Sequence, residues 1–103
     1  MTSAFYKLFP RVSYVDRLLF TKHMAIMIKS GISLLDALDT LREQTKSKAF
    51  QKVLSRIFTD TKNGQALAVS LKKFPDVFDQ FYISLIEIGE TSGTLEQNLE
   101  FLS

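Results

Sequence analysis

The chain has 103 residues, of which 46% are hydrophobic and 23% charged, and this composition suits one globular domain with a small core. It contains no cysteine, so disulfides, thiolate metal sites and cysteine catalysis are excluded. The formal net charge of +2 is too small to indicate a nucleic-acid partner by itself.

The first ten residues, MTSAFYKLFP, combine aromatic and apolar side chains without the layout of a secretion signal. Pro10 and the polar residues after it mark a boundary, so we assign residues 1–14 to an N-terminal arm and residues 15–103 to the folded domain. The apolar run at residues 24–28 is far shorter than the roughly 20 residues that span a bilayer. We therefore expect this piece of chain to be soluble.

Apolar residues recur at helical spacing from residue 16 onward, and no alternating run bounded by turns indicates a strand. The sequence therefore predicts an all-α fold. The first helix is expected over residues 15–30, ended by Gly31 in a left-handed cap. Its expected buried face contains Leu19, Phe20, Met24, Ile26 and Met27.

Capping residues predict where the later helices begin. Ser33 and Asp36 form a possible capping box for the second helix, which ends near residue 44. The third helix ends at Asn63-Gly64, and its predicted buried face is Phe50, Val53, Leu54, Ile57 and Phe58. A short fourth helix ends at Phe74-Pro75, Asp76 is the expected cap of the fifth, and Thr94 with Gln97 is a possible capping box for the sixth.

The fifth helix contains a glycine near its end, in the segment Ile88-Gly89-Glu90. A glycine in a helix interior costs about 1 kcal/mol relative to alanine. We expect Gly89 to let another helix approach closely, with the polar Glu90 at the crossing. The predicted inward residues of this helix are Phe78, Phe81, Tyr82, Leu85 and Ile88.

The turns share a pattern of glycine followed by two leucines four residues apart, which begins at Gly31, at Gly64 and, with the first leucine one residue closer, at Gly93. This spacing predicts three helical hairpins. Their separation is close to a tetratricopeptide period, but the Trp, Leu-Gly and Tyr positions of that repeat are absent. We therefore predict a compact six-helix antiparallel bundle rather than an open solenoid.

Four segments in order carry a specific resemblance: residues 20–38, Asn63-Gly64, residues 74–78 and residues 89–95, which read GETSGTL. Together they closely resemble the F domain of the type II secretion and type IV pilus inner-membrane platform proteins. The resemblance covers nearly everything after residue 16. Its motif positions, which we expect to serve the fold, are Gly31, Leu34, Gly64, Pro75, Phe78, Gly89, Glu90, Gly93 and Leu95.

This resemblance implies a cytoplasmic domain at the bacterial inner membrane, followed in the parent protein by a transmembrane helix and a second copy of the domain. It also implies a non-enzymatic function, in which the platform couples an assembly ATPase to pilus or pseudopilus assembly or to secretion. The implied partners are that ATPase, other inner-membrane assembly components and further copies of the chain, without a cofactor. The sequence agrees, since it has no phosphate-binding glycine loop and no catalytic triad spacing.

The chain departs from the family pattern at Lys22-His23, at Ser33 and at Gln65-Ala66, and the first two changes are conservative for a helix start. The family commonly has a serine that caps the fourth helix, where this chain has Ala66. Alanine has no side-chain acceptor for a helix N-terminus. We expect the fourth helix to begin irregularly or to use Asn63 as its cap.

Several residues have both a functional and a structural interpretation. Glu87 and Glu90 are candidates for a shared cation, although carboxylates at this spacing usually face solvent or pair with a base. The single histidine, His23, receives no role because it has neither a metal cluster nor an orienting partner. Candidate partner-binding residues are Phe5, Tyr6, Leu8 and Phe9 in the arm and Lys48, Lys52 and Arg56, within a basic set that also includes Lys46 and Lys62.

Two other functions remain open from the sequence alone. A small helical nucleic-acid-binding module would use the basic face of the third helix, although the low net charge argues against it. A helical enzyme would use Glu87 and Glu90 as an acid–base pair. However, no neighbouring residue of different polarity gives a reason for their pKa values to differ.

Overall fold

The computed structural model describes residues 11–103, which form six α-helices and no strand within that range. The predicted all-α class and six-helix bundle are therefore confirmed. The candidate arm residues Phe5, Tyr6, Leu8 and Phe9 lie outside the described residues. The helices are α1 Tyr14–Lys29, α2 Leu34–Gln44, α3 Lys48–Lys62, α4 Leu67–Leu71, α5 Gln80–Ser92 and α6 Leu95–Leu102.

The helices form a closed ring. Each helix packs against the next in sequence, and α6 packs against α1. Neighbouring helices joined by short connections bury their apolar faces toward the centre of the ring. The hairpins are thus closed into a bundle, in contrast to the open stack of a solenoid.

Aromatic side chains from three segments meet at the centre. The ring of Phe20 on α1 lies 5.4 Å from that of Phe50 on α3 and 6.3 Å from that of Phe78, both edge-on. Phe78 in turn lies 5.2 Å from Tyr82 on α5. Edge-on aromatic pairs add about 0.5–1.5 kcal/mol beyond the area they bury. This cluster joins α1, α3 and α5 across the ring.

The predicted buried faces of α1 and α5 are partly wrong. Leu19 and Ile26 on α1 are 47% and 53% exposed, and Phe81 and Ile88 on α5 are 63% and 52% exposed. Apolar residues surround most of each helix, so their periodicity does not select one side. By contrast, the predicted face of α3 is confirmed, because its other side is almost entirely polar.

Two predicted caps are also wrong. The cap of α5 is Asp79, whose carboxylate accepts the Tyr82 backbone N–H at 2.8 Å, and it lies three residues beyond the predicted Asp76. The Thr94 side chain makes no capping hydrogen bond to α6. Gly93 instead sets this turn, with φ at +71°, and the Thr94 amide donates to the Gly89 carbonyl at 2.9 Å.

The capping prediction for α2 holds in part, and α1 has a cap that the sequence reading missed. The Ser33 hydroxyl accepts the Asp36 amide at 3.1 Å. The reciprocal capping box occurs at the start of α1, where Ser13 and Asp16 exchange hydrogen bonds of 3.0 and 3.1 Å. Both helix starts are thus held by side chains within their own first turn.

Candidate functional site

The segment Gly89-Glu90 lies where three helices meet. Gly89 is buried on α5, and a Cβ built on it would lie 2.8 Å from the Leu95 Cα and 3.2 Å from the Leu95 nitrogen. Real Cβ atoms essentially never approach other atoms to 2.8 Å. Glycine at this position therefore lets the start of α6 lie directly against α5.

A side-chain hydrogen bond holds the same crossing one turn earlier. The Asn98 amide on α6 donates to the Leu85 carbonyl of α5 at 2.8 Å. The Asn98 side-chain nitrogen would also lie 3.3 Å from a Cβ at Gly89, so the Asn98 side chain packs close to the bare backbone of this glycine. The close approach and the hydrogen bond together fix the angle between α5 and α6.

Glu90 caps α4 from another helix. Its two carboxylate oxygens accept the backbone N–H groups of Leu67 and Ala68 at 2.6 and 2.9 Å. The N-cap residue of α4, Ala66, makes no side-chain capping bond. A carboxylate at a helix N-terminus satisfies free N–H groups and lies at the positive end of the helix dipole.

The prediction that α4 starts irregularly or uses Asn63 as its cap is therefore wrong. Asn63 is the C-terminal cap of α3, and Ala66 has the extended backbone of an ordinary N-cap. The missing serine acceptor is replaced by the Glu90 carboxylate, which lies 23 residues beyond the Leu67 amide that it accepts. The signals available in the sequence were an N-cap position without a side-chain acceptor, at Ala66, and an acid directly after the helix-interior glycine, at Glu90.

Glu87 and Glu90 have separate surroundings. Glu87 lies 3.5 Å from the Lys72 Nζ, with both side chains more than half exposed, whereas Glu90 binds backbone amides. Within residues 11–103, no group of three or more His, Asp or Glu side chains is arranged to hold a metal ion. The two carboxylates thus have different partners, a lysine at the surface for Glu87 and the first turn of α4 for Glu90.

A buried carboxylate at Asp60 was missed by the sequence reading. Asp60 is 5% exposed and accepts hydrogen bonds from the Lys73 Nζ at 2.8 Å, the Ser70 hydroxyl at 2.7 Å and the Arg56 Nε at 3.2 Å. The Lys73 and Ser70 hydrogen bonds lower the pKa of Asp60 to about 2, against the opposing effect of burial. The available signal was an acid on the side of α3 that also carries Val53 and Ile57.

This network joins the end of α3 to α4. Ser70 lies on α4 and is fully buried, and Lys73 follows its last turn. A buried charge is tolerated only when it is paired and hydrogen-bonded, and Asp60 satisfies both conditions. Together with Glu90, it attaches the short α4 to its neighbours on both sides.

A second polar contact attaches α1 to the start of α5. The Arg17 guanidinium lies 3.1 Å from the Asp79 carboxylate. Donation from the Tyr82 amide, and then from Arg17, lowers the pKa of Asp79. Thr21 donates to the Arg17 carbonyl at 2.7 Å and lies 2.8 Å from the Tyr82 hydroxyl, and burial raises the pKa of Tyr82 to about 12. The Asp79 carboxylate thus caps α5 and pairs with α1 at the same time.

An open groove of about 360 Å³ lies between α1 and the connection from α2 to α3. Leu19, Phe20 and Phe50 contribute apolar walls, and His23 and Lys46 lie at its polar edge. Among the described residues, His23 has no hydrogen-bond or ion-pair partner. The groove therefore offers apolar contact, and within residues 11–103 no hydrogen bond joins His23 to the Ser47 hydroxyl or the Asp16 carboxylate that also line it.

The three basic partner-binding candidates lie side by side on α3. Lys48, Lys52 and Arg56 are exposed, and Arg56 also pairs with Asp60.

No helix in residues 11–103 is both long and apolar enough to cross a membrane. The six-helix ring and the Gly89–Glu90 contacts thus define a closed α-helical bundle domain. Its buried carboxylate, Asp60, is paired with Lys73 inside the fold.

The family to which this bundle belongs follows from sequence comparison. Residues 20–103 match the family described as Type II secretion system (T2SS), protein F, and the chain belongs to that family. This finding confirms the resemblance that the four segments indicate.

Its relatives include proteins named for two related machines. The chain is 37% identical over 90 residues to the type IV pilus assembly protein PilC of Pseudomonas aeruginosa, covering 87% of this chain and 24% of that protein. It is 39% identical over 88 residues to PilC of Myxococcus xanthus, covering 85% and 21%. The type II secretion system protein F of Vibrio cholerae is 32% identical over 92 residues, covering 89% and 23%. The chain thus spans about a quarter or less of these relatives.

Proposed function

We propose that this chain is a non-catalytic, partner-binding domain on the cytoplasmic face of the bacterial inner membrane. It couples an assembly ATPase to the assembly of a pilus or pseudopilus, or to protein secretion, as part of a longer platform protein. The observation that carries the proposal is the family match over residues 20–103, with relatives named for pilus assembly and for type II secretion. The membrane connection belongs to helices of the parent protein.

The contacts between helices support a function in transmitting force. A domain that passes on a displacement must move as one body, which requires that its helices resist sliding past one another. The Gly89 crossing fixes α6 on α5, Glu90 fixes α4 on α5, and Asp60 fixes α4 on α3. Closely packed interiors transmit strain because they have low compressibility.

The proposed partner contact is the N-terminal arm. Phe5, Tyr6, Leu8 and Phe9 provide large apolar side chains of the kind that anchor protein interfaces. Further copies of the chain and other inner-membrane components are proposed as additional partners. Nucleotide is not expected to bind here, because ATP hydrolysis belongs to the ATPase.

Isothermal titration calorimetry of the 103-residue chain with the assembly ATPase of the same cell tests this function. We expect association at micromolar concentration, and no heat from ATP added to the chain alone. Replacing Phe5, Tyr6, Leu8 and Phe9 by serine should weaken association at least tenfold, whereas the control Lys7→Ala should not.

Two results would contradict the proposal in different ways. A folded chain, helical by circular dichroism, that binds neither the ATPase nor another assembly component would refute the coupling function. Full binding by the four-serine variant would be consistent with the coupling function but would show that the ATPase contacts the bundle rather than the arm.

A further inference from the structure

The small net charge conceals an uneven distribution along the chain. Residues 46–73 carry seven basic side chains and one acidic side chain, whereas residues 74–103 carry six acidic side chains and no lysine or arginine. The first stretch contains α3 and α4, and the second contains α5 and α6. Because the helices follow one another around a closed ring, α3 and α6 lie on opposite sides of it. The bundle is therefore electrically polarised from α3 to α6.

The basic side chains of α3 form one stripe. Lys48, Lys52, Arg56 and Lys62 are all exposed. With about 100° between successive residues, they fall within an arc of about 120°, and they extend over about 21 Å along the helix. We call these four residues the α3 basic face.

The lysines of this face have no internal counter-charge. Among residues 11–103, Lys48, Lys52 and Lys62 have no ion-pair or hydrogen-bond partner. The only acid on α3, Asp60, points inward and is held by Lys73 and Ser70. Three of the six acids in residues 74–103 are already engaged: Asp79 by Arg17, Glu87 by Lys72 and Glu90 by amides of α4.

The α3 basic face also lacks an apolar anchor. None of the large hydrophobic side chains exposed among the described residues belongs to α3, and the residues between its cations include Gln51, Ser55 and Thr59. Protein interfaces concentrate their binding energy in buried aromatic and apolar anchors. Single-stranded nucleic acids need aromatic platforms for stacking, and α3 contributes no exposed aromatic side chain. Three of the four cations are lysines, which present point charges, and the Nε of the fourth, Arg56, is bonded to Asp60. A surface that presents many separate phosphate groups in one plane suits this row of unpaired lysines better than a protein interface or a nucleic acid does.

We propose that the α3 basic face docks the domain on an anionic phospholipid surface. Each lysine near such a surface contributes an attraction that falls off within a Debye length. The polarity of the bundle also orients it, because α3 is attracted to the lipid while the acidic α5 and α6 are repelled. The contact is separate from the proposed ATPase contact on the arm.

Sedimentation of the 103-residue chain with lipid vesicles tests this proposal. One vesicle set contains 30% phosphatidylglycerol in phosphatidylcholine, and the other contains phosphatidylcholine alone. We expect binding to the anionic set at millimolar lipid, and a loss of binding when the salt concentration rises from about 50 to 500 mM, because the Debye length shrinks severalfold. Neutral vesicles should bind at least tenfold more weakly.

Two double variants of equal charge separate the α3 basic face from overall charge. Lys48→Ala/Lys52→Ala should weaken binding to anionic vesicles about thirtyfold, at roughly fivefold for each lysine. The control is Lys22→Ala/Lys29→Ala, which removes two exposed lysines from α1 and should change binding less than threefold. Circular dichroism of both variants checks that they remain folded.

The proposal is overturned by no binding to anionic vesicles at low salt, by equal weakening in both double variants, or by equal binding to neutral vesicles. Duplex DNA is included as a second probe. Binding to DNA through Lys48 and Lys52 without vesicle binding would also overturn it, in favour of the nucleic-acid alternative. None of these results bears on the calorimetry with the ATPase, so the two proposals fail separately.

Discussion

Glu90→Ala should destabilise the domain far more than the removal of its neighbour Glu87. The substitution leaves the N–H groups of Leu67 and Ala68 without their acceptors, and both residues are only 2% exposed. Each unsatisfied buried donor costs about 1–3 kcal/mol, and Glu90→Ala leaves two of them. We expect a loss of about 2–4 kcal/mol, since water entering the vacated space recovers part of the sum.

Urea unfolding followed by circular dichroism measures this difference. Glu87→Ala is the matched control, because it removes a carboxylate from the same helix that pairs only with Lys72 at the surface. Exposed pairs of this kind contribute about 0–1 kcal/mol. Equal losses for Glu87→Ala and Glu90→Ala would refute the capping explanation.

A restored local cap provides a second check. Ala66→Ser places a hydroxyl at the N-cap of α4, where it can accept an amide of the first turn. In the Glu90→Ala background it should recover about 0.5–1 kcal/mol. In the native background the gain should be smaller, because Glu90 already accepts the Leu67 and Ala68 amides. Equal gains in both backgrounds would show that the two caps do not share a target.

Three further predictions concern the other contacts. Gly89→Ala should cost about 1–3 kcal/mol in urea unfolding through overpacking against Leu95, and no loss would refute the close crossing. The pKa of Asp60 is lowered from its ordinary value of 3.8 to about 2, so the stabilisation from its ionised form is present above pH 4 and is lost as pH falls from about 4 to 2. Asp60→Asn should reduce the pH dependence of the free energy of unfolding between pH 4 and 2. An unchanged pH dependence would contradict the stabilisation of ionised Asp60 by Lys73 and Ser70. Burial raises the pKa of Tyr82 to about 12, so ultraviolet titration should show a late tyrosinate that is absent in Tyr82→Phe.

The number and order of the helices could be predicted because their signals are local. Gly93 and the hydroxyl of Ser33 act within one turn of their own position. Apolar spacing also predicted the buried side of α3, where polar residues occupy the opposite side. These features need no knowledge of which helices meet.

The polar contacts between helices could not be predicted in this way. Glu90 caps a helix 23 residues earlier in the chain, and Arg17 pairs with Asp79 over 62 residues. Helical periodicity carries no information about which helix ends lie together. The predicted buried faces of α1 and α5 were partly wrong for a related reason, since the choice between two apolar sides of a helix depends on its neighbours in the folded ring.

The length of α4 has a consequence for how the domain opens. A helix of five residues is too short to form alone, because isolated helices below about 12–15 residues are marginal in water. Its first two amides depend on Glu90, so α4 should lose its structure whenever the end of α5 frays. In native-state hydrogen exchange, the amides of Leu67 and Ala68 should therefore open together with the last turn of α5, as one unit with a shared opening free energy.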